Sequence, residues 1–210
     1  MLDRLSALDL ATGRPVSRET SDKIAAFEAM LLEANQTQNL ISKATEADLF
    51  ERHILDGAQL VRQDPRREAS WVDIGSGPGL PGIVLALLHK GPVTLVEPRS
   101  LRVAFLHGVI TALDISNATV VGGKASAAEG RFEVITGRAV ASLTKFIDLS
   151  HHLSTEKTRW VLPKGKKALE ELEEARRFWH LDVRVEESLT DADARILIVD
   201  KAQRKRRGRP

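Results

Sequence analysis

From residue 71 onward the chain alternates short apolar runs with longer amphipathic ones. WVDI at 71–74, VTLVEP at 93–98, ATVVGG at 118–123, FEVITGRA at 132–139 and TRWVLPKG at 158–165 are the short runs, broken by Gly, Pro and charged residues. Their length and Val/Ile content predict buried strands. LPGIVLALL, SLRVAFLHGVITAL and SLTKFIDLSHHL lie between them and read as helices, and KALEELEEARRFW as a strongly charged one. DVRVEESL and ARILIVDKA alternate well enough to predict a closing antiparallel pair. Strand after helix after strand implies an α/β fold with a mostly parallel sheet covered on both faces.

The first 65 residues follow a different period. In SRETSDKIAAFEAMLLEANQTQNL, steps of three and four place Ile24, Phe27 and Leu31 near one face, with Thr20 or Ser21 available as a cap. EADLFERHILDGAQLV predicts a second helix with Leu49, His53 and Leu60 on one side. The expected organisation is a helical extension over residues 1–65 packed on a core over 66–202, then a basic, flexible tail over 203–210.

Composition narrows the chemistry. The chain has 210 residues, enough for one core with a modest extension. It has no cysteine, which excludes disulfides, thiolate zinc sites and cysteine nucleophiles. Its six histidines show no metal-ligand spacing, so no metal is expected. The longest central apolar run, IVLALL, is too short to span a bilayer, and the acidic start is unlike a signal peptide. The expectation is a cytoplasmic monomer with no membrane partner. A formal net charge of +2 hides an asymmetry, because the chain ends in KAQRKRRGRP. Such an end attracts polyanions, or simply stays solvated.

The densest chemical signal is VDIGSGPGLPG at 72–82. A strand, a glycine turn and a helix in succession bring bare backbone and free amides to a ligand. There is no Lys for a phosphate loop of the Walker type, and GSGPG lacks the GxGxxG spacing of a dinucleotide site. Glu97, at the end of the second strand, can accept both ribose hydroxyls of an adenosine. Asp73, an acid in an apolar run, can orient the glycine loop or face a ligand's ammonium group. Together these residues favour S-adenosylmethionine as the ligand, hence a methyltransferase. A nicotinamide-dependent dehydrogenase is the second candidate.

Six further stretches give this pattern a family. NQTQNLIS at 35–42, ERHILDGAQL at 51–60, VDIGSGPGLPGI at 72–83, VEPRSLRVAFL at 96–106, ITGRAVASL at 135–143 and LPKGK at 162–166 resemble the bacterial small-subunit rRNA methyltransferases called RsmG, or glucose-inhibited division protein B. The resemblance covers nearly the whole chain. It implies a class I S-adenosylmethionine-dependent methyltransferase fold, Rossmann-like, with a mixed central sheet and an N-terminal helical extension. It also implies methyl transfer to N7 of one guanosine near the decoding centre of 16S rRNA, equivalent to guanosine 527. The partner is then 16S rRNA or the small ribosomal subunit.

Carried over residue by residue, the resemblance assigns Gly75, Leu80 and Arg138 to the cofactor cleft, with a pair after the third strand. The glycine turn adds Ser76 and Gly77, and the second strand adds Glu97. The family's pair ends in Glu; here the stretch reads Gly123, Lys124, Ala125, Ser126, so the acid is missing. Ser126 can hydrogen-bond an adenine edge in its place, or Glu129 can reach back. Arg138, Lys164 and Lys166 are candidates for RNA contact. His53 is expected to make a hydrogen bond between the extension and the core. No residue is assigned as general base, because guanine N7 carries a lone pair and no proton at neutral pH. The noncatalytic rival is an RNA-binding protein on a retired methyltransferase fold, suggested only by the altered Ala125–Ser126 pair.

Overall fold

The structure is a computed structural model and describes residues 3–206. The strands are β1 (Trp71–Ile74), β2 (Val93–Glu97), β3 (Ala118–Gly122), β4 (Val134–Thr136), β5 (Arg159–Lys164), β6 (Trp179–Glu187) and β7 (Arg195–Arg204). They form one sheet in the order β3-β2-β1-β4-β5-β7-β6. The first five pair in parallel, and β7 runs antiparallel to both β5 and β6. Strand order reverses between β1 and β4, which opens a crevice at the carboxyl ends of those strands.

Side chains alternate across this sheet as its pleat requires. Trp71, Leu95, Val161 and Ile198 belong to one hydrophobic cluster, whereas Val72, Val96, Leu162 and Leu197 belong to the other. Both faces are therefore buried, which is why the strands read as nearly continuous apolar runs. Helices α4 (Gly82–Leu88) and α5 (Ser100–Ala112) cover the first face, and α6 (Leu143–Ser150) and α7 (Ala168–Ala175) the second.

The N-terminal helices α1 (Arg4–Thr12) and α2 (Arg18–Gln38) stack outside α4. Leu8, Ile24, Phe27 and Leu31 join the same cluster as Ile83 and Leu95. Squeezed between the sheet and α2, α4 is apolar all round.

Several expected details shift. The cap of α2 is Ser17, not Thr20 or Ser21: its hydroxyl accepts from the Thr20 amide at 3.0 Å, so the cap lies three or four residues earlier than expected. The second N-terminal helix is not one regular helix. A π-helical turn over Phe50–Leu55 leads into the single turn α3 (Asp56–Ala58). The wider turn lets Leu49 and Ile54, five residues apart, both be buried, and leaves His53 half-buried. β6 starts at Trp179, earlier than the alternation suggested, because the buried Trp179 pairs with Arg204. β7 thereby continues through Gln203 and Arg204, the first residues of the expected tail. Residues 207–210 of that tail lie outside the described residues.

Candidate active site

The loop after β1 is built by backbone. Gly75, Gly77 and Gly79 all take left-handed φ, at 71°, 57° and 93°. At Gly75 a side chain is also excluded by contact, since a Cβ would sit 2.8 Å from Val140 Cγ2. The Gly75 and Ser76 amides both donate to the Val96 carbonyl, at 2.8 and 3.0 Å. The Ser76 hydroxyl donates to the Asp73 carbonyl at 2.9 Å.

Glu97 closes this loop from β2. One carboxylate oxygen accepts from the Gly77 amide at 2.8 Å and the other from the Arg99 amide at 2.9 Å. The residue is buried. A carboxylate has about four acceptor directions, so these two bonds leave about two unused.

Asp73 has one foot in the loop and one free. Its Oδ2 accepts from the Gly82 amide at 3.0 Å, at the start of α4. Its Oδ1 is buried without a partner. Burial is the main force on this carboxyl and pushes its pKa up to about 7, against the nearby Ser76 hydroxyl and the Gly82 amide, which favour the charged form. A cationic ligand group beside Oδ1 would satisfy both the lone pair and the charge.

Beside the loop lies a largely apolar cavity of about 520 Å³, within the range of small-ligand pockets. Gly75, Val96, Pro98, Ala125, Ser126 and Val140 line it. Three of the sequence-assigned cofactor residues, Gly75, Ala125 and Ser126, thus line it directly. Ser76, Gly77, Leu80 and Glu97 instead form the buried framework behind it. Ser126, not Glu129, faces the cavity at the position of the missing acid. A neutral hydroxyl there suits a hydrogen bond to a base edge.

Arg138 stands elsewhere. It lines a second, smaller cleft of about 170 Å³ with Arg52, Asp56, Lys164, Thr190 and Arg195 among its walls. Its guanidinium donates to Asp56 Oδ2 at 3.1 Å and to the Arg52 carbonyl at 3.3 Å. The loop after β4 borders both spaces: Arg138 lines the cleft and Val140 the apolar cavity. Between them Ala139 holds a left-handed φ of 56°, a strained conformation for a residue with a Cβ.

The two lysine candidates differ. Lys164 is the last residue of β5, not part of the turn that follows. Its ammonium is largely buried and binds Glu171 at 3.0 Å and the Ala141 carbonyl at 2.7 Å. Lys166 stands exposed in the following turn. His53 does bridge, but within the extension: its Nε2 meets the Thr45 hydroxyl at 3.0 Å. Burial, then the charges of Arg138 and Arg52, lower its pKa to about 4, so the ring is neutral at pH 7.

Sequence reasoning passed over Val140 as a cavity wall and Asp56 as the partner of Arg138. Both sit in quoted stretches, GRAVASL and HILD, where only their neighbours drew notice.

The family model for rRNA small subunit methyltransferase G matches residues 20–198. The chain belongs to this family. The ribosomal RNA small subunit methyltransferase G of Sphingopyxis alaskensis is 42% identical over 184 residues, covering 87% of this chain and 79% of that protein. The one from Zymomonas mobilis is 42% identical over 193 residues, covering 87% and 86%. Among solved structures, a TehB-like S-adenosylmethionine-dependent methyltransferase from Corynebacterium glutamicum superposes with a TM-score of 0.55 at 18% identity, covering 82% of this chain and 98% of that one. The ribosomal protein L11 methylase of Lactobacillus delbrueckii gives 0.60 at 13% identity, covering 72% and 79%. At such identities these neighbours establish the fold, which is the Rossmann-like class expected from the sequence. Family membership rests on the closer relatives.

Proposed function

We propose that this protein is an RNA methyltransferase that transfers a methyl group from S-adenosylmethionine to N7 of a single guanosine, equivalent to guanosine 527, in 16S rRNA. It acts as a cytoplasmic monomer on that RNA, free or within the small ribosomal subunit. The observation that carries the reading is the nucleoside-sized apolar cavity beside a glycine loop backed by two buried carboxylates.

The residues fit the cofactor. Gly75, Val96 and Ala125 offer flat apolar surface and Ser126 a hydroxyl, and Glu97, behind the loop, keeps acceptor directions unused by its two backbone bonds. The unpartnered Asp73 Oδ1 suits the ammonium of an amino-acid tail. When bound, the cofactor supplies an electrophilic methyl on a sulfonium, and guanine N7 supplies the lone pair.

The chain's own task is alignment. It needs no side chain to remove a proton from N7. Arg138 and Arg52 at the cleft provide positive potential for RNA phosphates. The test is incubation of purified small subunits, and separately of free 16S rRNA, with labelled S-adenosylmethionine. Label in 7-methylguanosine at one mapped position is the expected result. Label at another atom or none at all would refute the reading.

A further inference from the structure

Asp56 is a carboxylate in a cleft whose neighbours Arg52, Arg138 and Arg195 would serve an anion better without it. Nothing in methyl transfer to N7 requires an acid there. Its three hydrogen bonds are to Arg138 Nη1 at Oδ2, and to Gln59 Nε2 and the Thr190 hydroxyl at Oδ1, at 3.1, 3.0 and 3.2 Å. One acceptor direction on Oδ2 stays open, and the side chain keeps 16% of its area exposed. The Thr190 hydroxyl also has a second partner within reach, Ser188 Oγ at 3.1 Å. Turning to it would open one acceptor direction on Oδ1 as well, while Gln59 keeps the other.

The cleft also has a telling size. At about 170 Å³ it is close to the roughly 150 Å³ cavity that admits a benzene ring. It can seat the six-membered, Watson–Crick side of one purine and not a base pair. Enzymes that modify a base extrude it from the stack into such a pocket.

Guanine presents donors, N1–H and the N2 amino group, on its Watson–Crick edge, and acceptors, O6 and N7, on the Hoogsteen edge. A carboxylate accepts from the first edge and repels the second. It also repels N1 of adenine, which is an acceptor. A guanine held by its donor edge leaves N7 uncovered on the far side of the ring.

We infer that this cleft receives the extruded acceptor guanine and that Asp56 reads its Watson–Crick edge, an assignment that rests on the function proposed above. Arg138 and Gln59 fix the carboxylate, and the loop bearing Arg138 and Val140 borders both the cleft and the cofactor cavity, which sets the base beside the cofactor.

The test is a comparison of acceptors. Small subunits are reconstituted with 16S rRNA carrying guanosine or inosine at the methylated position. Inosine keeps N7, O6 and N1–H but lacks the N2 amino group. Single-turnover rates and half-saturating concentrations are measured for the native protein and for Asp56→Ala, with Asp56→Asn as the size-preserving variant should the first not fold. The native protein should prefer guanosine by about ten- to hundredfold. Asp56→Ala should reduce that preference to about twofold or less and leave cofactor affinity by calorimetry within about twofold. If Asp56 were only a tie between the extension and the core, its loss would slow both acceptors equally and the preference would persist. Equal native rates on guanosine and inosine, or an undiminished preference in the variants, overturns the inference while 7-methylguanosine still forms. Absence of 7-methylguanosine from native protein on guanosine subunits removes the functional reading, and this one with it.

Discussion

The cofactor cavity and the basic cleft lie a few residues apart on the same sheet end, yet they are made differently. The cavity at β1–β3 is walled by backbone, small residues and apolar side chains, with its carboxylates Glu97 and Asp73 tucked behind the loop. The cleft at β4, β5 and β7 is walled by long charged side chains and hydroxyls drawn from elements as distant as residues 52 and 195. The first can recognise a fixed shape through rigid main chain. The second recognises through side chains that hold one another, as Asp56 holds Arg138. Near each of them burial favours the neutral form of one titrating group: Asp73, behind the loop, is pushed up to about 7, and His53, beside Arg138 and Arg52, down to about 4.

The largest effect expected from this division is on turnover. Arg138→Ala should lower the single-turnover rate at saturating RNA by about a hundredfold or more, with cofactor affinity changed by less than about threefold. Calorimetry beside rapid-quench methylation separates the two. A large loss of cofactor affinity would move Arg138 to the cavity side of the loop.

Glu97→Ala should do the reverse. It removes charge-assisted hydrogen bonds worth about 1.5–3 kcal/mol, so cofactor binding should weaken about ten- to hundredfold. Normal affinity in a folded variant would show that the loop holds its shape without the Glu97–Gly77 bond.

The third expectation is a pH dependence. The ligand-free Asp73 carboxyl is protonated below about pH 7, and a cationic ligand group favours its charged form. Binding should therefore release a proton and tighten by up to about tenfold per pH unit as pH rises toward 7, then level off. Asp73→Asn should flatten the curve. The sign for folding is separate. Because the folded pKa is raised above 3.8, the stabilisation from neutral Asp73 is full below that value and is lost as pH rises through about 7. His53 has the opposite sign: its contribution is present above 6.5 and lost as pH falls through about 4. Thermal melts of Asp73→Asn across pH 5–8 should show the variant gaining relative to the native chain toward pH 8.

Much of the cavity side was readable from the sequence. Its strands are short apolar runs ended by glycine, and the turn advertises itself by composition. The cleft was not readable in the same way. Asp56 meets Arg138 across 82 residues, and it does so from a stretch where a π-helical turn replaces the regular helix that the 3.6-residue period implies. That extra residue per turn leaves no local mark, because tertiary burial of Leu49 and Ile54 selects it. The same limit applies to Lys164, whose charge looked free until Glu171 came beside it.

The smallest effect concerns the basic end. Removal of residues 205–210 should weaken RNA binding by a few fold at low salt, less at high salt, and leave single-turnover methylation at saturating RNA intact. Fluorescence titrations at several salt concentrations measure it. Loss of chemistry at saturation would place the tail in the site.

The pairing of β6 with β7 gives this end an unusual vantage. Arg195 lies opposite Lys164, at the mouth of the cleft, whereas Arg204 lies opposite Trp179 at the far end of the hairpin. Ten extended residues span roughly 30 Å, about one turn of a nucleic-acid duplex. The hairpin sets that distance between Arg195 in the cleft and Arg204. An RNA fragment trimmed to the target loop could fill the cleft and never meet Arg204. Assays on such minimal acceptors would score the basic end as irrelevant, whatever it does on a whole subunit.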